Sequence, residues 1–400
     1  MSIVKRPNVA ALLVVFISLS LSACGGSSSA KSSDLIIADG ATLRALTIEG
    51  SGENTTLSQV RSASVPGNDG FPVSGFLPEH TIFAMIPHPS RPWVYVTSFN
   101  DCGVAELGCW GNARVDLFEI QPKRLRHISR VFTFDESQLD ISCAQNDVGI
   151  EGQHGACAIV SGVISPDGSR LYLQDDDFDL LMIFAINPLT GALTFLSEGD
   201  QSDVRLHGLA MHPQAALVYN GSNVLDVSDD IISFEFNGAG GNGTQVLAGG
   251  EGASDLLLTT EENRHVRIFH LDEPLAPVLV DGYDAGQRGA RDVAINNARN
   301  RLVVVGRNRV TTLSFDGNDI TELDVFDMQD PDGRDIEYRS VVLTRQGEQL
   351  QAAVSWFVND DSNDSGFSGG VSLFDVDADG VITPAATRLT SRASRTLMRP

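Results

Sequence analysis

The sequence predicts an all-β fold, a seven-bladed β-propeller closed by strands from both chain ends. Three observations carry this expectation. A short strand pattern, apolar-x-apolar-apolar-x-apolar, recurs seven times. Most copies are preceded by a second unit: an apolar triplet, a Pro-containing or polar turn, and another strand. Outside the N-terminal segment, no stretch shows a long 3.6-residue apolar period. The copies are Leu43–Ile48, Val115–Ile120, Leu181–Ile186, Ile231–Phe236, Val266–Leu271, Val310–Phe315 and Val371–Val376. Their starts lie about 55 residues apart on average, which is room for four strands and their turns.

Taken in order, residues 1–23 read as an export signal and stand outside the fold. Lys5 and Arg6 form a positive start, and Val9 to Leu21 is an apolar run of 13 residues. A membrane-spanning helix needs about 20. The run ends in Leu21-Ser22-Ala23-Cys24, followed by Gly25-Gly26-Ser27-Ser28-Ser29, so residues 24–33 form a Gly/Ser linker. This pattern resembles a bacterial lipoprotein signal, with Cys24 as the lipidated residue and Gly25 pointing to an outer membrane. Acyl chains contribute about 0.8 kcal/mol per buried methylene, enough for two or more to hold a protein at a bilayer. An ordinary secretory signal is the competing reading.

The propeller is expected over residues 34–400. Its first unit starts at Asp34-Leu35-Ile36-Ile37, which reads as a second strand with no first strand before it. The chain finishes on Thr396-Leu397-Met398-Arg399-Pro400, which reads as a first strand with nothing after it. Pairing the two completes one blade and hides two edges. Between them, Ala84-Met85-Ile86 with Trp93–Val96, Val163-Ile164 with Leu171–Leu173, and Leu209-Ala210-Met211 with Leu217–Tyr219 read as first and second strands. His88-Pro89, Ser165-Pro166-Asp167-Gly168 and His212-Pro213 supply the turns between them, and Asn187–Gly191 and Asp377–Gly380 close later hairpins.

Composition narrows the partners. Of 400 residues, 42% are hydrophobic and 20% charged, which is ordinary for a folded protein. Lys and Arg number 28 against 52 Asp and Glu, a formal net charge of −24. Loss of Lys5 and Arg6 with the signal would take this to −26. Such a surface repels phosphate backbones and anionic lipid headgroups. The expected partner is therefore a small anionic molecule or an envelope protein, with no nucleic acid and with membrane contact only through the lipid anchor. Beyond Cys24, four cysteines remain, an even number in an exported chain. Sequential pairing, Cys102 with Cys109 and Cys143 with Cys157, closes two short loops. A Zn site is the alternative, though the four lack a CxxC pair.

Ser165-Pro166-Asp167-Gly168-Ser169-Arg170-Leu171-Tyr172, followed by Phe184-Ala185-Ile186-Asn187-Pro188-Leu189-Thr190-Gly191-Ala192-Leu193, resembles the lactonase-type seven-bladed propellers. That family includes 6-phosphogluconolactonase and 3-carboxymuconate lactonizing enzyme and overlaps the YVTN repeat proteins. The resemblance spans roughly residues 34–400. It implies His, Arg and Glu at one mouth of the central channel, with a proton-handling group and Arg to hold a carboxylate. A family block reads Pro-Arg-His before an apolar-Ala-Phe-His-Pro strand. Here Leu206-His207-Gly208 precedes Leu209–Pro213, so His207 stands at the Arg place and Gly208 at the His place. His154 lies several residues out of register with a second family His. Catalytic candidates are His154 and His207.

The mouth is expected where loops enter first strands and where second strands meet third. Ligand-binding candidates there are Arg205, Arg291, Arg339 and Asp175, because converging guanidiniums suit a carboxylate through bidentate hydrogen bonds. Each Arg pairing with a neighbouring acid is the alternative. Asp375-x-Asp377-x-Asp379-Gly380 matches the start of a calcium loop but has Ala386 where a bidentate Glu belongs, so it reads as a hairpin turn. No Walker loop, GxSxG elbow, HExxH or haem CxxCH occurs, and no cofactor is implied. The expected role is a lipid-anchored, extracytoplasmic binding or protein-interaction module at the cell envelope. The alternative is a lactonase acting on, or forming, a carboxylate-bearing lactone.

Overall fold

The computed structural model describes residues 34–50, 52–66, 80–100, 111–121, 123–134, 158–175, 180–200, 208–221, 223–236, 242–247, 254–260, 264–286, 289–328, 335–346, 350–358, 368–390 and 397–398. Over these residues the chain forms seven four-stranded antiparallel sheets, the blades of a β-propeller, with no α-helix among the described residues.

Blade 1 holds β1 (Leu35–Asp39), β2 (Thr42–Glu49) and β3 (Thr56–Ser64). Blade 2 holds β4 (His80–Pro87), β5 (Trp93–Asn100), β6 (Gly111–Gln121) and β7 (Arg124–Thr133). In blade 3 come β8 (Ile159–Ile164), β9 (Arg170–Asp175), β10 (Leu180–Ile186) and β11 (Leu193–Asp200). Blade 4 is short, with β12 (Leu209–Met211), β13 (Leu217–Asn220), β14 (Asn223–Asp226) and β15 (Ser233–Phe236). Blade 5 has β16 (Asn242–Leu247), β17 (Leu256–Thr260), β18 (His265–His270) and β19 (Val278–Asp284). Blade 6 has β20 (Asp292–Ile295), β21 (Arg301–Gly306), β22 (Arg309–Phe315) and β23 (Ile320–Asp327). Blade 7 has β24 (Glu337–Gln346), β25 (Leu350–Val358), β26 (Ser368–Val376) and β27 (Ile382–Thr390).

The last strand, β28 (Leu397–Met398), returns to blade 1 and pairs with β1 through Ile36↔Met398 and Ile37↔Leu397. Closure from both chain ends is thus as expected, and it pairs the edge that β1 would otherwise expose. Six of the seven sequence repeats are third strands. The exception is Ile231–Phe236, which supplies β15, the fourth strand of blade 4. The third strand there is β14, reached from β13 by a tight turn at Gly221 (φ 59°) that pairs Asn220 with Asn223. Only glycine enters that left-handed region freely.

Seven clusters of buried side chains fill the ring, and each bridges one neighbouring pair of blades. The pairing of Leu35, Ile37 and Leu46 with Ala353, Val371 and Leu373 seals the last seam, between blades 1 and 7. The second strands are buried on both faces, so they read as nearly continuous apolar runs such as Leu-Val-Val-Val in β21. Fourth strands are more open, and the first half of β7 alternates exposed and partly buried positions. The His-Pro turns are structural. Buried His88 and His212 accept backbone N–H bonds at Nδ1, from Ser90 at 3.2 Å and from Gln214 and Ala215 at 3.1 and 3.0 Å. Burial lowers the pKa of both rings and keeps them neutral.

Candidate functional site at the mouth between blades 6 and 7

Antiparallel pairing places the starts of the first strands at the end of the ring where second strands finish. Four of the seven first strands carry a β-bulge within their first four residues, at Phe83, Val160, Gly243 and Arg339. A bulge re-aims the side chain of its extra residue. Only in blade 7 is that residue charged. The apolar partners Tyr338 and Val341 stay in the seam between blades 6 and 7 on either side of it.

Arg339 meets Arg291 on a single carboxylate. Glu337, the first residue of β24, places Oε1 3.2 Å from Arg291 Nε and 3.1 Å from Arg339 Nη2. The three side chains are 18% to 30% exposed, so water screens them only in part. Arg339 also lies over the Phe357 ring, 5.2 Å from its centroid, a cation–π contact. Arg291 is held just before β20: its N–H donates to Val305 O at 2.7 Å and its carbonyl accepts from Thr260 Oγ1 at 3.3 Å.

The turn from β21 to β22 clasps this corner. Asn308, left-handed at φ 56°, accepts the Ile336 N–H at 2.5 Å and donates from Nδ2 to Asp335 at 2.6 Å. Arg307 pairs with Asp335 at 3.2 Å, and an isolated bridge joins the Arg307 and Glu337 backbones. Blade 6 thus fixes where blade 7 begins.

Deeper in the wall, Asp292 opens β20 and bridges to β24. Its carboxylate accepts the Val341 N–H at 2.8 Å and that of Val293 at 2.8 Å. Burial pushes its pKa up to about 6, against the opposing pull of these bonds and of the Ser340 side chain. Only neutral donors serve it, which is why burial wins. Ser161 does the same job between blades 3 and 4, where its Oγ accepts the Leu209 N–H at 3.1 Å.

The sequence-derived candidates separate in space. Arg291 and Arg339 converge, and each pairs with a neighbouring acid. Asp175 sits in blade 3 at the end of β9, fully buried, where its carboxylate accepts the Ala158 N–H at 2.5 Å and ties down the start of β8. His154, His207, Arg205, Cys24, Cys102, Cys109, Cys143 and Cys157 lie outside the described residues. Among the described residues no group of three or more His, Cys, Asp or Glu is placed to hold a metal ion. The Asp377 carboxylate instead accepts the backbone N–H groups of Asp379 and Val381, each at 2.9 Å, and organises the β26–β27 turn. Glu337 and Asp292 escaped the sequence reading. The signal available was an acid next to each Arg at the start of a first strand, Arg291-Asp292 and Glu337-x-Arg339.

No model of a known protein family matches this chain, and no curated protein does. Solved structures do. A functionally unknown protein from Desulfotomaculum acetoxidans is 12% identical, with 90% of this chain and 99% of that one covered and a TM-score of 0.50. The periplasmic gluconolactonase PpgL of Pseudomonas aeruginosa is 10% identical, with 91% and 98% covered and a TM-score of 0.41. Sqt1 of Chaetomium thermophilum is 14% identical, with 78% and 74% covered and a TM-score of 0.48. At such identities the likeness concerns the fold.

Proposed function

We propose that this chain is an exported, lipid-anchored binding propeller whose mouth between blades 6 and 7 takes a small carboxylate-bearing ligand. The observation that carries the reading is the convergence of Arg291 and Arg339, two partly buried guanidiniums, on one carboxylate oxygen of Glu337. Guanidinium presents its donors in a planar fork that matches a carboxylate, and partial burial strengthens each contact. In a chain of formal charge −24 the two guanidiniums supply fork-shaped donors for a small carboxylate, while the acidic surface around them turns nucleic acid away.

The test is calorimetric titration of a panel of sugar acids, short carboxylates and their lactones into the soluble form starting at Ser27. Arg291→Ala and Arg339→Ala should each weaken binding by about tenfold or more without changing the melting temperature by more than a few degrees. Equal affinity in both variants would reject the site. Anchoring rests on the Leu21–Cys24 box and its flanks, and Cys24→Ala should release the protein from the membrane fraction. The paired-cysteine expectation predicts no free thiol at Cys102, Cys109, Cys143 or Cys157 in the exported protein, measured by alkylation before and after reduction. Should the ligand be an envelope protein, proximity labelling should recover one reproducible partner.

Lactone hydrolysis is the second reading. What favours it is a carboxyl, Asp292, that takes up a proton near neutrality in the wall beside this mouth. In this reading the Asp292 carboxylate accepts a proton from the attacking water while the arginines hold the ligand's carboxylate. Turnover would then rise with pH through about 6 and vanish in Asp292→Asn. His154→Ala and His207→Ala test the bases that the family resemblance implies.

A further inference from the structure

We propose that Glu337 is the specificity-determining residue of the mouth: it occupies the seat of a second ligand carboxylate, so the site selects singly charged over doubly charged carboxylates. This rests on the carboxylate-binding reading above and adds to it which carboxylates are accepted.

The argument is geometric. One oxygen of Glu337 stands within 3.2 Å of both Arg291 and Arg339, between the two guanidiniums. A ligand carboxylate that reaches either Arg from the open side leaves this arrangement in place. A ligand with two carboxylates, one for each Arg, has to displace Glu337 or lie against it, and either course sets like charges side by side. The backbone of Glu337 is fixed, so its carboxylate could leave only by rotation of the side chain, which gives up both ion pairs. Glu337 is the first residue of β24, paired with Phe357 in the sheet and tied to Arg307 by a backbone bridge. The seam residues Ile336 and Tyr338 on either side are 1% and 0% exposed, so its backbone cannot retreat without opening the core between blades 6 and 7. Glu337 itself is 18% exposed, so its charge is felt by a ligand at the mouth more strongly than a rim charge would be.

The experiment compares two probes with the same four-carbon backbone and different charge, succinate and monomethyl succinate, by titration calorimetry at pH 7.5. The proteins are the wild type, Glu337→Gln, Glu337→Asp and Arg291→Ala. The wild type should bind monomethyl succinate more tightly than succinate. Glu337→Gln removes the charge and keeps the shape, and should shift the ratio of the two affinities toward succinate by about tenfold or more. Glu337→Asp keeps the charge and should keep the wild-type order, which separates charge from a general disturbance of the corner. An unchanged ratio in Glu337→Gln, with both probes still bound and Arg291→Ala still weaker, overturns the selectivity role and leaves the binding site standing. Absence of binding to both the wild type and Glu337→Gln overturns the carboxylate site itself.

Discussion

Blade 7 and blade 4 follow the same four-strand plan but solve the ring differently. The strands of blade 7 are 10, 9, 9 and 9 residues long, and those of blade 4 are 3, 4, 4 and 4. The seam between blades 6 and 7 buries 16 hydrophobic residues, Trp356 and Tyr338 among them, whereas the two seams of blade 4 bury seven and six. Where blade 4 stops short, turns replace strands, and a groove of about 430 Å³ opens against blade 3. Polar contacts hold that edge. Arg170 grips Asp230 with two hydrogen bonds, Nε at 2.5 Å and Nη2 at 2.9 Å, and Ser197 Oγ donates to the Asp230 carbonyl at 2.5 Å. Asp229 and Asp230 are left-handed there, at φ 58° and 60°, a conformation non-glycine residues seldom adopt. A propeller therefore needs a dry centre at each seam but not blades of equal length. The long, well-packed seam is the one that carries the Arg–Glu–Arg corner, because a site needs a rigid wall behind it.

The largest expected difference between the two regions is in packing at blade 7. Trp356 is 1% exposed, donates from Nε1 to Ser372 Oγ at 3.0 Å, and lies so close to Gly370 that an added Cβ there would stand 2.5 Å from its ring. Trp356→Ala should cost about 3–5 kcal/mol in denaturant unfolding, since the surrounding long strands cannot collapse into the space. A loss below about 1 kcal/mol would mean that the seam repacks.

Next is the pH response of the two seams. Asp292 and Ser161 make the same strand-to-strand bridge, one with a charge and one without. The raised pKa of Asp292 means that the folded protein holds this proton more tightly than the unfolded chain does. Its contribution to stability is thus greatest at low pH, falls as pH rises from about 4 to about 6, and is lost above that. That gap corresponds to at most about 3 kcal/mol. Measured by urea unfolding, wild type relative to Asp292→Asn should lose stability between pH 4 and pH 7. Ser161→Ala should cost about 1 kcal/mol, the same at both ends of that range. Parallel pH profiles for wild type and Asp292→Asn would refute the assignment.

Smaller effects are expected at blade 4. Leu225 is fully buried between blades 3 and 4, but its cluster borders the groove and has room to relax. Leu225→Ala should cost about 2 kcal/mol, the low end for such a truncation. Arg170→Ala should cost about 1 kcal/mol or less, because both partners are about one-third exposed and solvent screens the pair. A larger loss for Arg170 than for Leu225 would show that polar contacts, not packing, hold blade 4 in the ring.

By itself the sequence determined the blade count, the strand plan and the closure. Each rests on local physics. Short apolar runs such as Leu171-Tyr172-Leu173 and turn residues such as Asp167 and Asp377 act within one hairpin. The unpaired patterns at Leu35–Ile37 and Leu397-Met398 have one partner that leaves no edge exposed. In blade 4 the repeat falls on the fourth strand and not the third, because four-residue strands barely complete a pattern and only pairing tells β14 from β15. Tertiary structure alone decided the site. Arg291 and Arg339 were legible as candidates, but their meeting on Glu337 depends on a bulge at Arg339 and on blade 6 fixing the start of blade 7. The role of Asp292 depends on burial by a strand that begins 45 residues later in the chain, at Glu337. Charge placement and desolvation are set by neighbours distant in sequence, and a strand pattern carries no information about them.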